Sequence, residues 1–163
     1  MFYDKSQYPA LKILEDNSEV IRKEFQSVMK MRMNEWPERD KYTGSWKVFG
    51  LYHCGRKLKS FCKCCPETTR VIESIGPVSM AGFSRMSAGT DILPHVDDVK
   101  EGLFRIHLGI QIPNGDCGFW VDGQEKRWEN GKAFLFDPLK IHKAWNKTSE
   151  ERVILLLDFE SFY

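Results

Sequence analysis

Three side chains in the second half of the sequence have the types and spacing of a metal site. His95 and Asp97 are two residues apart, and in an extended segment the side chains of residues i and i+2 point to the same side. His142 would supply a third ligand from a distant strand. Two imidazoles and one carboxylate leave positions open on the ion, as in non-haem Fe(II) sites that bind 2-oxoglutarate and O2. A short H-x-D pattern is nevertheless common by chance, so these residues need support from elsewhere in the chain.

A charged residue beyond His142 offers such support. Arg152 comes ten residues after His142 and directly before the apolar run 153–157. It is either a strand-end charge at the surface or a buried charge, and a buried unpaired charge is costly. In the second case its planar guanidinium would bind the far carboxylate of 2-oxoglutarate through paired hydrogen bonds.

Four more residues are candidates for the same site. Arg105 and His107 alternate within the run 104–108, so both point to one face of a predicted strand. Facing the interior of a barrel they would belong to the site, and facing outward they would be ordinary strand residues. Ser84 and Trp46 have the same two interpretations, a cosubstrate contact or a common strand or core residue.

The elements that would position these residues change in type along the chain. The sequence predicts a helix from Ser6 through Leu14 and a second helix capped by Asn17 or Ser18, with apolar residues at helical spacing. A later helix is predicted to begin at Pro66 and to end before Gly76-Pro77.

The rest of the chain predicts strands separated by turn residues. These strands are 46–52, 80–86, 104–112, 118–121, 125–128, 132–136, 142–146 and 153–159. The dipeptide Asp122-Gly123 is typical of a tight hairpin. Short strands after a helical segment indicate an antiparallel sandwich or barrel with helices outside it. We therefore expect one domain over residues 1–163, with a helical lead (1–45) and a catalytic β core (46–163).

Composition limits the classes of partner. The 163 residues include 42% hydrophobic and 13% aromatic residues, and the net charge is +1. The basic residues at positions 56, 57, 59 and 63 are interpreted as a solvated loop, so no nucleic-acid partner is expected. The N-terminus has no apolar targeting segment and no run approaches the ~20 residues that span a bilayer. A soluble, cytoplasmic protein without a membrane partner is the expectation.

Four of the five cysteines cluster at Cys54, Cys62, Cys64 and Cys65. In a reducing compartment they are expected to be free thiols. A zinc site is the alternative, but three cysteines within four residues are a poor match to the usual C-x2-4-C spacing.

Taken together, residues from about 46 to 159 resemble the aspartyl/asparaginyl β-hydroxylase family. The run Arg105-Ile106-His107-Leu108-Gly109 is similar to the R-x-H-L-G motif of that family. The other blocks that carry the resemblance are residues 45–49 with 55–57, residues 83–86 with Gly89, Thr90, Pro94 and His95, and residues 128–132 with Phe136, Asp137, His142, Trp145 and Arg152.

The resemblance implies a mainly β fold, a double-stranded β-helix of the jelly-roll or cupin type with N-terminal helices packed outside. It implies Fe(II) as the metal, with 2-oxoglutarate as cosubstrate and O2 as co-reactant. By position, His95 and His142 match iron ligands. Arg152 matches the arginine that pairs with the C5 carboxylate of 2-oxoglutarate, and Ser84 matches a nearby hydrogen-bonding residue.

Three further positions match residues around the cosubstrate: Arg105 and His107, which would hold it, and Trp46, which would line its pocket. The chain departs from the animal members of the family at Asp97, where those proteins have glycine. Asp97 would restore a full triad and disfavours a halogenase, which needs an empty position for halide. Asp98 is expected to point away. A disulfide of the secreted members has no counterpart, because Cys62 has Thr69 as its apparent partner position.

The expected reaction is hydroxylation of an unactivated carbon by an Fe(II)/2-oxoglutarate-dependent dioxygenase. By resemblance, the favoured substrate is the β-carbon of an aspartyl or asparaginyl residue, or a related amino acid, in a peptide or protein. The alternatives are a free or carrier-bound small molecule, a lipid acyl chain, and a non-catalytic binding module on the same fold. A zinc hydrolase could reuse the same ligands but would have no use for Arg152, Ser84 and Arg105.

Overall fold

The computed structural model describes residues 2–160. Within these bounds the α-helices are α1 (Pro9–Asp16), α2 (Ser18–Val28), α3 (Lys59–Cys64) and α4 (Pro66–Ile75). The strands are β1 (Asn34–Glu35), β2 (Tyr42–Thr43), β3 (Trp46–His53), β4 (Arg56–Lys57), β5 (Val78–Met86), β6 (Thr90–His95), β7 (Leu103–Gln111), β8 (Cys117–Val121), β9 (Gln124–Lys126), β10 (Ala133–Phe136), β11 (His142–Asn146) and β12 (Arg152–Glu160).

The strands form two antiparallel sheets. The larger sheet has the order β1-β3-β5-β12-β7-β10, with β4 added to β3, and the smaller sheet has the order β2-β6-β11-β8-β9. The central strand β12 pairs with β5 on one side and with β7 on the other. Since neighbours in space are distant in sequence, residues from six strands (β3, β5, β6, β7, β11 and β12) can converge on the space between the sheets.

Two apolar clusters show which faces are covered. Helices α1, α2 and α4 pack their apolar sides against the outer face of the larger sheet, and the inner faces of both sheets meet in a second cluster. The two-residue period of a strand is visible along β12. Val153, Leu155 and Leu157 face the helices, whereas Ile154 and Leu156 face the smaller sheet.

The helices follow the predicted pattern with three differences. Ser6 lies in a separate 3-10 turn, Lys5–Gln7, and α1 begins at Pro9 instead of continuing from Ser6. Helix α2 buries Ile21, Phe25 and Val28, and α4 begins at Pro66. The Asn17 side chain does not cap α2; its Nδ2 donates to the Ile13 carbonyl 2.8 Å away and so closes α1. The additional helix is α3, which the sequence did not predict because its six residues have too short an apolar pattern.

The strands also follow the predicted pattern, with ends that move by one or two residues. Strand β6, which carries His95, was not among the predicted strands because Pro94 lies within it. Two very short strands, β1 and β2, lie within the predicted helical lead. The hairpin between β8 and β9 turns at Asp122 and Gly123, whose φ angles of 46° and 87° fit the tight turn expected there.

Candidate active site

His95 and His142 lie side by side on neighbouring strands of the smaller sheet. They are register partners on β6 and β11, and their ring centroids are 4.4 Å apart. Each Nδ1 lies close to a backbone carbonyl two residues earlier, 2.7 Å from Leu93 O and 2.8 Å from Lys140 O. Because a carbonyl only accepts, each Nδ1 carries the hydrogen. The two Nε2 atoms are left to face the space between the sheets.

Asp97 completes the cluster from the loop that follows β6. Its backbone N–H donates to the Pro138 carbonyl 3.1 Å away, which ties this loop to the segment before β11. One carboxylate oxygen lies 3.5 Å from His95 Nε2 and the other lies 3.4 Å from His142 Nε2. The three ligand atoms are all within 4.8 Å of one another. The neighbouring Asp98 is exposed.

This donor set fits a divalent transition metal. Two Nε2 lone pairs and a carboxylate that face one another repel unless protons or a cation lie between them, and carbonyl-anchored imidazoles are typical of metal-binding histidines. Burial by itself raises the pKa of Asp97, but the adjacent imidazoles of His142 and His95 and the charge of Arg105 hold this pKa well below its usual range. The carboxylate is therefore ionised and available as a ligand at neutral pH.

Arg105, on β7, is fully paired. Its Nη1 donates to Asp97, and its Nε and Nη2 donate to the two oxygens of Asp158 at 2.6 and 2.7 Å. Burial would lower the pKa of Arg105, but the two carboxylates raise it above its usual value. Lys41 reaches the same metal-site carboxylate from the rim, 3.7 Å away. The charge of Arg105 is thus balanced within the protein.

Arg152, on β12, has the opposite surroundings. Its side chain is buried, with 2% exposure, and its Nη2 donates to Ser84 Oγ at 2.8 Å and to the Ser84 carbonyl at 3.3 Å. The guanidinium lies over the Trp128 ring, 4.8 Å from its centroid. Its Nε is the one buried side-chain polar atom in residues 2–160 without a hydrogen-bond partner. Burial lowers the pKa of Arg152 to about 10, so the group remains charged at neutral pH.

Ser84 links Arg152 to a pair of indoles. The Trp46 Nε1–H donates to Ser84 Oγ at 2.8 Å. Trp46 in turn stacks on Trp36, with ring centroids 4.4 Å apart and planes 8° from parallel. Its orientation is therefore fixed on both sides, which makes Trp46 a rigid wall of the space beside Arg152.

His107 lies between the two arginines on the same face of β7 as Arg105. The Trp128 Nε1–H donates to His107 Nδ1 at 3.3 Å, so the hydrogen of the neutral ring is on Nε2. Burial, followed by the charges of Arg152 and Arg105, holds the pKa of His107 well below its ordinary value. His107 is thus a neutral donor at physiological pH.

One pocket collects the residues that the sequence singled out. It is lined by Trp46, Ser84, His95, Arg105, His107, His142 and Arg152, and the Asp97 carboxylate lies within 4.8 Å of the ligand atoms of His95 and His142. The structure therefore places all eight candidate residues together, with the possible metal ligands on the smaller sheet and its loop and the others on the larger sheet.

Three residues of the site had no assigned role in the sequence analysis. Asp158 and Trp128 hold Arg105 and His107, and Lys41 approaches Asp97. Asp158 could have been noticed, because a carboxylate inside the apolar run 153–159 needs a buried partner. The sequence does not indicate which cation that partner is.

The fold and this donor set define a double-stranded β-helix protein with a two-histidine, one-carboxylate site. The sequence model of the aspartyl/asparaginyl β-hydroxylase family matches residues 15–161. The chain belongs to this family, as the motifs predicted.

Two curated relatives illustrate the range of the family. The chain is 33% identical, over 96% of its length, to an ornithine lipid ester-linked acyl 2-hydroxylase from Rhizobium tropici. It is 32% identical, over 91% of its length, to the aspartyl/asparaginyl β-hydroxylase of Mus musculus. The chain spans 59% of the first protein and 21% of the second.

A solved structure confirms the predicted fold class. A prolyl hydroxylase from Trichoplax adhaerens, in complex with a peptide fragment of a hypoxia-inducible factor, superimposes with a TM-score of 0.61 at 11% sequence identity. The match covers 96% of this chain and 91% of that one. At this identity the likeness concerns the fold. Within residues 2–160 every helix is too short or too polar to cross a bilayer.

Proposed function

We propose that the protein is an Fe(II)- and 2-oxoglutarate-dependent dioxygenase that hydroxylates an unactivated carbon. The observation that carries this proposal is the pair of features in one pocket: a His95–Asp97–His142 donor cluster and a buried, charged arginine that no carboxylate of residues 2–160 neutralises. A buried charge without a partner is costly. A cosubstrate with a metal-binding end and an anionic end would satisfy both features.

Each candidate residue has a role in this proposal. His95, Asp97 and His142 would hold Fe(II) and leave positions open for cosubstrate and O2. Arg152 and Ser84 would bind the C5 carboxylate of 2-oxoglutarate. With these ligands bound, the iron centre would supply the oxidising chemistry for C–H hydroxylation.

The remaining side chains would orient the cosubstrate. His107 would donate from Nε2 to one of its oxygens, because Nδ1 already accepts from Trp128. Arg105 lines the same pocket, but its charge is balanced by Asp97 and Asp158, so it would contribute mainly by fixing Asp97. Trp46 and the aromatic rings of Phe119 and Phe136 close the pocket and exclude water.

The family name favours an aspartyl or asparaginyl residue, or a related amino acid, as the group that is hydroxylated. The Rhizobium tropici relative favours a second substrate class, because its name describes hydroxylation of an ester-linked acyl chain. The present protein also covers far more of that relative than of the mouse enzyme. A free or carrier-bound small molecule belongs to this second class.

Anaerobic titration and turnover test the reaction class. Adding 2-oxoglutarate to the Fe(II)-loaded protein without O2 should produce a weak visible charge-transfer band, and admitting O2 should release succinate. A protein that binds metal and 2-oxoglutarate but releases no succinate, with peptides, amino acids or acyl lipids present, would be a binding module. A protein that binds Zn(II) and hydrolyses an ester without O2 would refute the proposal.

His142→Ala should abolish succinate release and the charge-transfer band, because two remaining donors hold Fe(II) weakly. The matched control is Lys147→Ala, which changes an exposed residue just after β11, outside the pocket, and leaves the donor set intact. Succinate release by the iron-loaded His142→Ala protein at the wild-type rate would contradict the ligand assignment.

A further inference from the structure

A second cavity, of about 420 Å³, adjoins the candidate active site. It lies where the inner face of β3 and β5 meets the segment 32–38 and the start of α3. Its volume falls within the ~300–1,000 Å³ typical of small-molecule sites. Neither the proposed metal nor the proposed cosubstrate would occupy it, because their residues line the other pocket.

The two spaces share walls. Ser84 and Leu156 line both of them. The stacked indoles have one member in each, since Trp46 lines the pocket with the metal cluster and Trp36 lines the larger cavity. Ser84 and Leu156 thus border both spaces, and a molecule in the larger cavity lies next to the pocket that His95 and His142 line.

The walls of the larger cavity are mainly hydrocarbon. Val48, Leu58, Phe61, Met80 and Leu156 contribute apolar side chains. Phe61 is 38% exposed although it is aromatic. Its ring packs edge to face on Phe49, with centroids 5.1 Å apart, and the rest of the ring is available to an apolar ligand in the cavity.

A glycine on β3 opens the space. Gly50 and Gly82 are register partners on β3 and β5; a Cβ on Gly82 would lie 2.6 Å from the Phe49 carbonyl oxygen, so Gly82 permits the close approach of the two strands, whereas Gly50 leaves the wall between Val48 and Tyr52 without a side chain. A Cβ on Gly50 would come within 3.2 Å of the tip of Leu58. Larger residues at this position would project into the cavity.

The acidic residues on the cavity wall are already engaged. Glu35 accepts from Ser45, from the Trp46 backbone N–H and from Tyr42. Glu38 accepts from the Trp36 indole at 3.0 Å and pairs with Lys41 at 2.8 Å. These carboxylates contribute little free hydrogen-bonding capacity for a ligand.

From these features we infer that the larger cavity binds a straight aliphatic chain, and that the molecule hydroxylated carries such an acyl chain. The statement that the cavity binds an aliphatic chain rests on the cavity itself. The statement that this chain belongs to the hydroxylated molecule rests on the proposed function. A peptide would bring backbone amides that need partners when they are buried. The apolar wall offers them few, because the polar lining residues Arg32, Asn34 and His53 are exposed to solvent. A methylene chain has no such requirement.

Binding of an aliphatic chain is tested on the full-length protein, first without metal and then with Fe(II) and 2-oxoglutarate in the absence of O2. Isothermal titration with octanoate, decanoate and dodecanoate should show affinity rising about three- to fourfold per added methylene until the cavity is filled. Micelles of a diacyl phospholipid, titrated in parallel, distinguish a lipid-linked chain from a free acid. Affinity independent of chain length would overturn the inference.

Variants on one strand provide the matched comparison. Gly50→Leu should weaken binding of decanoate at least tenfold, because the new side chain fills the cavity. Gly50 has no positive φ, so its backbone accepts a side chain. Lys47→Leu places the same residue at an exposed position of β3 outside the cavity and should leave decanoate binding unchanged.

A second variant provides an independent test if Gly50→Leu does not fold. Phe61→Ala removes a partly exposed ring and should move the longest well-bound chain to a greater length. Equal chain-length profiles for wild-type and Phe61→Ala proteins would contradict the proposed position of the chain.

Turnover measurements then test the proposed substrate separately from binding in the cavity. Acyl compounds should stimulate succinate release more than Asp- or Asn-containing peptides do, and the product should carry a hydroxyl on the chain. Stimulation by peptides alone would overturn the inference while leaving the dioxygenase proposal intact. Chain-length-dependent binding without any succinate release would support the cavity and refute the proposed reaction.

Discussion

Two buried arginines on neighbouring strands of the larger sheet have opposite electrostatic surroundings. Arg105 on β7 makes three hydrogen bonds to the carboxylates of Asp97 and Asp158. Within residues 2–160, Arg152 on β12 donates hydrogen bonds to Ser84, and its guanidinium lies over the face of Trp128. The difference shows that burial of an arginine does not by itself indicate a ligand site. What indicates one is a charge that the protein leaves unbalanced.

The geometry of β12 explains why Asp158 pairs with Arg105 and not with Arg152. Arg152 and Asp158 are six residues apart on the same face of the strand, which separates them by about 20 Å. The antiparallel register places Arg105 opposite Asp158. Asp158 is therefore held by β7, and no carboxylate of residues 2–160 lies within reach of Arg152.

The largest expected effect concerns stability. Arg105→Met should lower the free energy of unfolding by about 3–5 kcal/mol, because it leaves two buried carboxylates without their partner. Urea denaturation of the metal-free protein measures this loss. Arg152→Met is the matched control and should leave the free energy unchanged or raise it, because it removes a buried unpaired charge. Equal losses in the two variants would show that both arginines are structural.

The next effect concerns cosubstrate binding, where the variant of Arg152, and not that of Arg105, should show the main loss. Arg152→Met should weaken 2-oxoglutarate binding about tenfold to a hundredfold, since it removes a charge-assisted hydrogen bond. Titration followed by the charge-transfer band gives the dissociation constant. Binding of 2-oxobutanoate, which lacks the far carboxylate, should be the same in both proteins. Similar losses for both keto acids would mean that Arg152 does not contact the far carboxylate.

A smaller effect should follow from Asp158. Asp158→Asn keeps the shape of the side chain but removes its charge, so Arg105 holds Asp97 less firmly. We expect metal affinity to fall about tenfold, measured by Mn(II) titration, with little change in the dissociation constant of 2-oxoglutarate for the metal-saturated protein. Asp98→Asn alters an exposed carboxylate one residue from Asp97 and serves as the control. If Asp158→Asn left Mn(II) affinity unchanged, the link through Arg105 would have no influence on the metal.

The smallest effect is a pH dependence that originates at His107. Its pKa in the folded protein is well below the ordinary 6.5 because of burial and the charges of Arg152 and Arg105. As the pH falls below about 6.5, the unfolded chain takes up a proton at this residue and the folded protein does not. Stability should therefore fall with decreasing pH, by at most about 1.4 kcal/mol per pH unit from this group.

Denaturation of the metal-free wild-type and His107→Gln proteins between pH 7.5 and 5.5 isolates this contribution, because this range spans the ordinary histidine pKa of about 6.5. The variant should lose part of the pH dependence. Identical slopes would show that His107 titrates normally in the folded protein.

The sequence was sufficient for much of the site. The spacing of His95 and Asp97, the alternation of Arg105 and His107, and the charge before an apolar strand each indicated candidate residues, because the period of a strand fixes which side chains share a face. This period left open whether that face is the inner or the outer one. The family motifs predicted the fold class and set expected roles for Ser84 and Trp46, which no periodicity could provide.

Tertiary structure decided which charges pair. Asp97, Asp158, Arg105 and Arg152 are all visible in the sequence, yet their partners depend on the register of β12 against β7 and on the loop that carries Asp97. The apolar cavity is likewise a property of packing, since it arises where Gly50 on β3 lies opposite α3 and the segment 32–38. Local sequence determines the face on which a side chain lies, but long-range strand pairing determines what it meets there.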